Sequence, residues 1–156
     1  MDMRTSCRFA MAVHVLAVLA YKQGQPVTSG FLADSVNTNP VVIRRLLLAL
    51  QGAKLVETRK GAGLGSRLAR SPGKISLAEV YSAVEEDEPF ALPPREPNRK
   101  CPVGTCVQEA LEEVFIAAEK AMHREFANTT LGDVMHTISS RCAETNDKNR
   151  TPRAQS

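Results

Sequence analysis

The chain has 156 residues, of which 43% are hydrophobic, and a formal net charge of +3. This length suits one ordinary domain, or a small domain with an extension, and no apolar run reaches the roughly 18 residues of a membrane span. Four cysteines without a disulfide-like spacing indicate a reducing compartment, so we expect a cytoplasmic protein that is not bound to a membrane.

The charge is distributed unevenly along the chain. Residues 1–75 hold 11 Lys or Arg and 3 Asp or Glu, whereas residues 76–156 hold 9 and 14, so the two parts carry +8 and −5. Clustered cations favour a polyanionic partner, because binding releases the counterions of its phosphates. The first half is therefore predicted to bind nucleic acid, with a merely solvated basic surface as the alternative.

The first predicted helix covers Ser6 to Tyr21 and is apolar on nearly every side. Such a helix must be buried between other elements. Cys7 and His14 lie on it without a partner at metal-ligand spacing, so both are interpreted as structural residues.

Two short helices with a tight polar turn between them follow. Thr28 can cap a helix through Val36, with Phe31, Leu32 and Val36 on its apolar face. Asn39 can cap the next helix, and Pro40 fits its first position because the missing N–H had no partner there. In that second helix the apolar spacing predicts burial of Ile43, Leu46, Leu47 and Leu50 and turns Val41, Arg44, Arg45 and Leu48 outward.

This arrangement is typical of a helix-turn-helix, whose second helix reads the major groove of DNA. The planar fork of arginine matches phosphate oxygens or the acceptor edge of guanine, and a valine methyl group can touch thymine. An ordinary amphipathic helix with a solvated face is the alternative for this run alone. The predicted DNA contacts are Thr28, Ser29, Asn37, Thr38, Asn39, Val41, Val42, Arg44 and Arg45.

After Gly52 the pattern alternates, which predicts a β-hairpin with strands at Leu55–Arg59 and Arg67–Arg70 and a glycine-rich tip. A hairpin behind a helix-turn-helix is a wing. Its cations Arg59, Lys60 and Arg67 are predicted to hold the DNA backbone or enter the minor groove. The tip does not match a nucleotide-binding loop, because no Gly-Lys-Ser/Thr follows it and no helix begins there.

The acidic half is predicted to be helical. A capping box at Ser76–Glu79 begins a helix to about Glu85, and a second box at Thr105–Gln108 begins a long helix that ends near Phe126. The long helix needs a partner for one apolar seam, either the first helix or a second subunit. We favour a dimer, because DNA readers of this size bind two half-sites. The predicted seam consists of Val107, Leu111, Val114, Ala118, Ala121, Met122 and Glu125 and extends to Phe126.

These patterns divide the chain into four parts. Residues 1–85 form the winged helix-turn-helix, 86–104 a Pro-rich loop with a cysteine motif, 105–142 the dimerisation helices, and 143–156 a disordered tail. The last short helix begins at Thr130 and places Leu131, Val134, Met135 and Ile138 on one face. The fold class is thus mainly α with a small β-hairpin, a winged helix-turn-helix plus a long dimerisation helix.

Several of these segments resemble the Rrf2 family of bacterial transcriptional regulators, in particular its YwnA-like branch. The similar segments are 8–14, 32–45, the wing, 75–81, 101–104 and 131–134. The resemblance implies a homodimeric winged helix-turn-helix regulator, a repressor or an activator, with a long helix that crosses over at the dimer interface.

The family's cluster-binding members carry three cysteines just before the long helix, whereas only Cys101 and Cys106 stand there in this chain. A 2Fe-2S cluster takes four protein ligands, so Cys7 and Cys142 would have to be recruited from distant elements. We therefore expect no cofactor and no metal ligand, with a 2Fe-2S cluster as the alternative. Cys101 and Cys106 are instead predicted to sense oxidants or electrophiles, unless they are small packing residues.

The sequence thus predicts a sequence-specific DNA-binding regulator of transcription, with repression favoured, whose partners are double-stranded DNA and a second copy of itself. Redox sensing through the two thiols is part of this prediction. An enzyme is not expected, because His14, His123 and His136 are scattered and no motif pairs them with a carboxylate or cysteine. The alternatives are a regulator that depends on an iron–sulfur cluster, or a winged-helix adaptor for protein interactions.

Overall fold

A computed structural model describes residues 7–61 and 64–150. In chain order its elements are α1 (Arg8–Tyr21), α2 (Ser29–Val36), α3 (Pro40–Gly52), β1 (Val56–Arg59), β2 (Gly65–Leu68), a short 3-10 helix (Pro72–Lys74), α4 (Leu77–Val84), α5 (Pro102–Asn128) and α6 (Leu131–Arg150). The predicted fold class is confirmed. The predicted helix start at Ser6, Gly63 of the wing tip and residues 151–156 of the predicted tail lie outside the described residues.

Helix α1 forms the centre of the core because it is apolar on several faces. Its side chains Ala12, Val15, Leu16 and Leu19 are fully buried, and the helix packs against α2, α3, α4 and α6. Each large aliphatic side chain buried in this way contributes about 1.5–3 kcal/mol. The prediction for α2 is wrong at one position, because Phe31 is exposed beneath the Lys22 ammonium and Ala33 is buried beside Leu32 instead.

The turn between α2 and α3 depends on a left-handed backbone at Asn37, where φ is 59° and ψ is 55°. This conformation lets the N–H groups of Asn37 and Thr38 donate to the last carbonyls of α2. The Asn39 side chain then accepts a hydrogen bond of 2.8 Å from the Val41 N–H and caps α3 as predicted. Only three residues, 37 to 39, therefore separate the end of α2 from the start of α3.

Asn37→Val is expected to lower the free energy of unfolding by about 1–2 kcal/mol, because a β-branched side chain is strained in the left-handed region. Asn37→Gly is expected to leave stability nearly unchanged, since glycine adopts this conformation freely. Urea denaturation of both variants measures the difference. Equal losses in the two variants would show that the amide side chain, and not the backbone conformation, is what the turn requires.

The wing is a two-stranded antiparallel hairpin in which Thr58 pairs with Ser66 and Glu57 with Arg67. The predicted second strand began too late, because β2 already starts at Gly65. Ser66 also exchanges backbone hydrogen bonds of 2.9 and 2.8 Å with Val27, which fastens the wing to the segment before α2. A Cβ atom at Gly65 would lie 2.7 Å from the Val27 nitrogen, so only glycine allows this close approach.

Helix α4 begins with the predicted capping box. Ser76 Oγ accepts from the Glu79 N–H, and the Glu79 carboxylate accepts from the Ser76 N–H and from Arg70. The Ser76 N–H and then the Arg70 guanidinium hold the pKa of Glu79 below its ordinary value of 4.5. The carboxylate form of Glu79 therefore stabilises the folded state.

The contribution of Glu79 is expected to depend on pH. Its pKa is lower in the folded than in the unfolded state, so the stabilisation is complete above about pH 4.5 and is lost as pH falls through the folded pKa. At pH 7, Glu79→Gln should lower the free energy of unfolding by at most about 1 kcal/mol, since the pair is partly exposed and screened. Denaturation at pH 7 and pH 3 measures this. Glu96→Gln, in an exposed pair with Arg99, is the matched control and should change little.

Helix α5 begins four residues earlier than predicted, because its N-cap residue is Cys101 and not Thr105. The Thr105 hydroxyl donates to the carbonyls of Arg99 and Cys101 from within the first turn, so the predicted capping box at Thr105–Gln108 is wrong. The helix spans 27 residues, or about 40 Å. None of these 27 residues is fully buried in the single chain.

The chain then returns to the core at the start of α6. The Leu77 N–H donates to the Thr129 carbonyl and the Leu131 N–H to the Ile75 carbonyl, and Leu131 is fully buried. Asp133 accepts from the Thr130 N–H and hydroxyl and caps the helix start. Helix α6 continues through Arg150, eight residues into the segment for which the sequence predicted a disordered tail.

Candidate nucleic-acid interface

The outer face of α3 carries side chains that no neighbouring element covers. Ile43, Leu46, Leu47 and Leu50 are buried, and Val41, Arg44, Arg45 and Leu48 are exposed, as the apolar spacing predicted. The anchoring stripe and the exposed stripe therefore belong to the same helix. Packing of the first stripe fixes the position from which the second meets a partner.

Beside this face, α3 and the wing enclose a cleft of about 600 Å³, which we call the wing cleft. Five of the predicted DNA contacts meet around it although they come from three parts of the chain. Thr28 and Ser29 lie at the start of α2, Arg44 lies on α3, and Arg59 and Lys60 lie at the end of β1. The fold thus brings residues up to 32 positions apart in the sequence to one surface.

The cations of this surface differ in whether a carboxylate neutralises them. Arg44, Arg59 and Lys60 form no ion pair or hydrogen bond through their side chains with any residue in ranges 7–61 and 64–145. Arg67, in contrast, forms an ion pair with Glu57 across the hairpin, with 3.0 Å between Nη2 and Oε2. The three unpaired cations are therefore the stronger candidates for binding an anion.

The other predicted contacts lie around the start of α3 and are not equivalent. Asn39 uses its side-chain oxygen to cap the helix, so its amide NH₂ group is what remains for a partner. Val42 is half-buried against the core, whereas Val41 and Arg45 are exposed. Thr38 is half-buried, and Asn37 is exposed in the turn that its backbone conformation creates.

Several residues that line the wing cleft were not among the predicted DNA contacts, although Leu48 was predicted to face outward. Leu48 and Gln51 follow Arg44 by four and seven residues and share its face of α3, a spacing that could have revealed them. Leu64 lines the cleft from the wing. Its position depends on the register of the hairpin, which the sequence pattern did not predict.

Comparison with known proteins identifies this arrangement. Residues 5–137 match the Rrf2 family, described as iron-dependent transcriptional regulators. The chain belongs to the Rrf2 family. It is 42% identical over 129 residues to the HTH-type transcriptional regulator YwnA of Bacillus subtilis, which covers 83% of this chain and 95% of YwnA.

Two further relatives support the assignment to a family of DNA-binding regulators. A crystal structure of a protein described as DNA-binding is 40% identical, with a TM-score of 0.65 over 82% of this chain and 98% of that one. The regulator IscR of Cereibacter sphaeroides is 35% identical over 89 residues, 55% of this chain and 56% of IscR. This Rrf2 family chain is accordingly a DNA-binding regulator of transcription. In its described part, no helix is both long and apolar enough to cross a membrane.

In this Rrf2 family regulator an aromatic cluster joins α5 to the DNA-binding part. Phe9 of α1 lies 5.4 Å from Tyr81 of α4 and 4.9 Å from Phe126 of α5, measured between ring centroids. Burial, followed by the carboxylates of Glu85 and Glu119, raises the pKa of Tyr81. We call Phe9, Tyr81 and Phe126 the aromatic joint, because they connect three helices.

The two cysteines near the start of α5 are both exposed thiols. Cys101 is the N-cap residue, and Cys106 is the fifth helical residue, one turn further along than predicted. Positions five apart on a helix lie about 8.7 Å apart between Cα atoms, beyond the roughly 7 Å that a disulfide spans. A bond between them within one chain would require the start of α5 to unwind.

A 2Fe-2S cluster takes four protein ligands, for which the chain offers four cysteines. Cys7 precedes α1, Cys101 and Cys106 lie at the start of α5, and Cys142 lies on α6, so the four cysteines occupy three separate parts of the chain. Among the described residues, no group of three or more Cys, His, Asp or Glu side chains is placed to hold a metal ion. The donor set within one chain does not fit the cluster.

Proposed function

We propose that this regulator is a homodimeric repressor, which reads operator DNA with α3 and holds the DNA backbone with the start of α2 and the wing. The observation that carries this proposal is that Arg44, Arg59 and Lys60 converge on one surface, where they are exposed and have no carboxylate partner among the side chains that the structure describes. A polyanion would satisfy all three cations at once. The protein would meet that DNA in the cytoplasm.

The contacts divide into two roles under this proposal. Thr38, Asn39, Val41 and Arg45 surround the start of α3, the part of a recognition helix that reaches base edges. Thr28 and Ser29 at the start of α2, with Arg59 and Lys60 on the wing, contact phosphates and fix the register. Asn37 supports DNA binding through the backbone conformation of the turn, and Val42 through packing against the core. Arg67 contributes less to the affinity for DNA because Glu57 forms an ion pair with it.

The dimer would form through an apolar stripe on α5 that the single chain leaves exposed except at Val107, which is half-buried. At 3.6 residues per turn, Val114 and Phe126 of the predicted seam point about 120° apart around α5, so the seam includes residues of two faces. One face packs within the chain, where Phe115 stacks on Phe90 and Phe126 enters the aromatic joint. The other alternates in steps of four and three residues, as in a helix-pairing seam. We call this second face the α5 stripe: Val103, Val107, Ala110, Val114, Ala117 and Ala121.

The signal is proposed to act at Cys101 and Cys106. Both thiols are exposed where the Pro-rich loop meets α5, and Gly104 lies so close to Asn98 that a Cβ atom there would clash with the Asn98 carbonyl. Transfer of one oxygen atom from hydrogen peroxide to a thiol gives a sulfenic acid and water. The added atom would disturb this tight contact and shift α5, and with it the spacing of the two recognition helices.

Peroxide is therefore expected to weaken DNA binding of the wild type by several fold, and Cys101→Ser with Cys106→Ser to abolish this response. Mass spectrometry of the treated protein locates the added oxygen. Cys7→Ser with Cys142→Ser is the matched control, because these thiols are also exposed. Unchanged DNA binding after oxidation of Cys101 or Cys106 would contradict the sensing role.

The proposed function as a whole is tested by a gel shift with the DNA upstream of the protein's own gene, with and without reductant. A regulator, rather than an enzyme, should bind that DNA specifically and repress a reporter placed behind it. An adaptor that uses the winged-helix fold for protein contacts would leave the DNA unbound.

A further inference from the structure

DNA binding accounts for the cations of the wing cleft but not for its apolar floor. Leu48 is 69% exposed and Leu64 57% exposed, and the two line the cleft from opposite sides, α3 and the wing. Leu47 lies between the core and the same cleft. Single exposed leucines are common on protein surfaces, but aliphatic side chains that line one concave surface together form a binding site for an apolar group.

The size and charge of the cleft restrict what this group can be. About 600 Å³ falls within the range of roughly 300–1,000 Å³ that small-molecule sites occupy. Arg44, Arg59 and Lys60 at its edge would attract an anionic group, whereas the leucines would attract an apolar body. The sugar–phosphate backbone of DNA carries the charge but has no aliphatic part of matching size.

We propose that the wing cleft binds a small organic anion with an apolar body, of the class of medium-chain carboxylates, and that this ligand displaces DNA. The aliphatic chain contacts Leu48 and Leu64, and the carboxylate binds the cations at the edge. Ligand and DNA exclude each other because both require the same three cations. Only the displacement of DNA rests on the proposed function; binding of the anion does not.

Direct titration of the full chain with octanoate, without DNA, tests the first part. Isothermal calorimetry is expected to show octanoate binding that 1-octanol, which lacks the charge, does not reproduce. Leu64→Ser should weaken octanoate binding at least tenfold, and Lys60→Gln should weaken it as well. The matched control is Ile138→Ser, an aliphatic residue 41% exposed on α6, which should bind like the wild type.

Circular dichroism verifies that the variants are folded, as expected for substitutions at exposed positions. Equal octanoate affinity in Leu64→Ser and Ile138→Ser, or equal binding of octanol and octanoate, would overturn the site. A gel shift with the upstream DNA then tests displacement. Saturating octanoate should release DNA from the wild type and from Ile138→Ser, but not from Leu64→Ser at the same concentration.

The two proposals can fail separately. If the protein binds no DNA without ligand, the proposed function is contradicted, while the calorimetric titration still decides whether the anion binds. If DNA is bound and saturating octanoate leaves it bound, the displacement is overturned and the DNA-binding role stands.

Discussion

Arg44→Ala combined with Arg45→Ala is expected to weaken binding to operator DNA at least about 30-fold. Each arginine that contacts a base edge or phosphate contributes about 1–3 kcal/mol, and a factor of ten corresponds to about 1.4 kcal/mol. Both side chains are exposed on α3, so the protein should remain folded. Fluorescence anisotropy with labelled operator at fixed salt measures the loss.

A loss of two positive charges anywhere would weaken binding somewhat, so the control must match the charge change. Arg95→Ala with Lys120→Ala removes two exposed cations from the Pro-rich loop and α5, far from the wing cleft along the chain. We expect this control to lose only a few fold. Full affinity of the Arg44 and Arg45 variant would favour the adaptor and contradict the proposed role of α3.

The single variants separate the two kinds of contact. An arginine that reads a base edge should lose its preference for operator over scrambled DNA when replaced. An arginine on a phosphate should weaken binding to both sequences equally and reduce the slope of affinity against salt by about one. Arg44 faces the wing cleft with the wing cations, so we expect phosphate behaviour from Arg44 and base reading from Arg45.

Val114→Glu is expected to convert the proposed dimer into monomers and to weaken binding to an operator with two half-sites at least about 100-fold. Val114 is 60% exposed at the centre of the α5 stripe, so a glutamate there should not disturb the single chain. In a dimer it would place two carboxylates in an apolar contact. A monomer contacts only one half-site. It therefore loses the increase in affinity that two linked recognition helices provide, which is typically about 10²–10⁴-fold.

Ile116→Glu is the matched control for this variant. Ile116 is 47% exposed on the same helix but points about 160° away from Val114 at 3.6 residues per turn. The Ile116→Glu variant should remain dimeric in sedimentation equilibrium and should bind the operator with the affinity of the wild type. A dimeric Val114→Glu variant, or a monomeric Ile116→Glu variant, would show that the α5 stripe is not the interface.

The aromatic joint provides the contacts through which a displacement of α5 would be transmitted to the helices that bind DNA. Phe126 of α5 packs on Phe9 of α1 and Tyr81 of α4, and the Phe9 N–H donates to Glu85 at the end of α4. These contacts connect α5 to the central helix of the DNA-binding part. The position of α5 therefore sets the distance between the two recognition helices of the proposed dimer.

Features that depend on neighbouring residues could be predicted from the sequence. Asn39 and Pro40 mark the start of α3, Ser76 and Glu79 that of α4, because a cap and its partner lie within four residues of each other. The buried stripe of α3 followed from helical spacing for the same reason. Because these local signals agree, the sequence alone determined the helix-turn-helix and the outward position of Arg44 and Arg45.

Features that join distant segments were decided only by the tertiary structure. The wing register depends on the pairing of Ser66 with Val27, and the neutralisation of Arg67 depends on the strand partner Glu57. Likewise, the two faces of α5 are distinguished by Phe90 and the aromatic joint, which cover one of them and leave Val114 exposed. Sequence spacing specifies which residues share a face, but only packing specifies what lies opposite, and the wing cleft exists because three such segments meet.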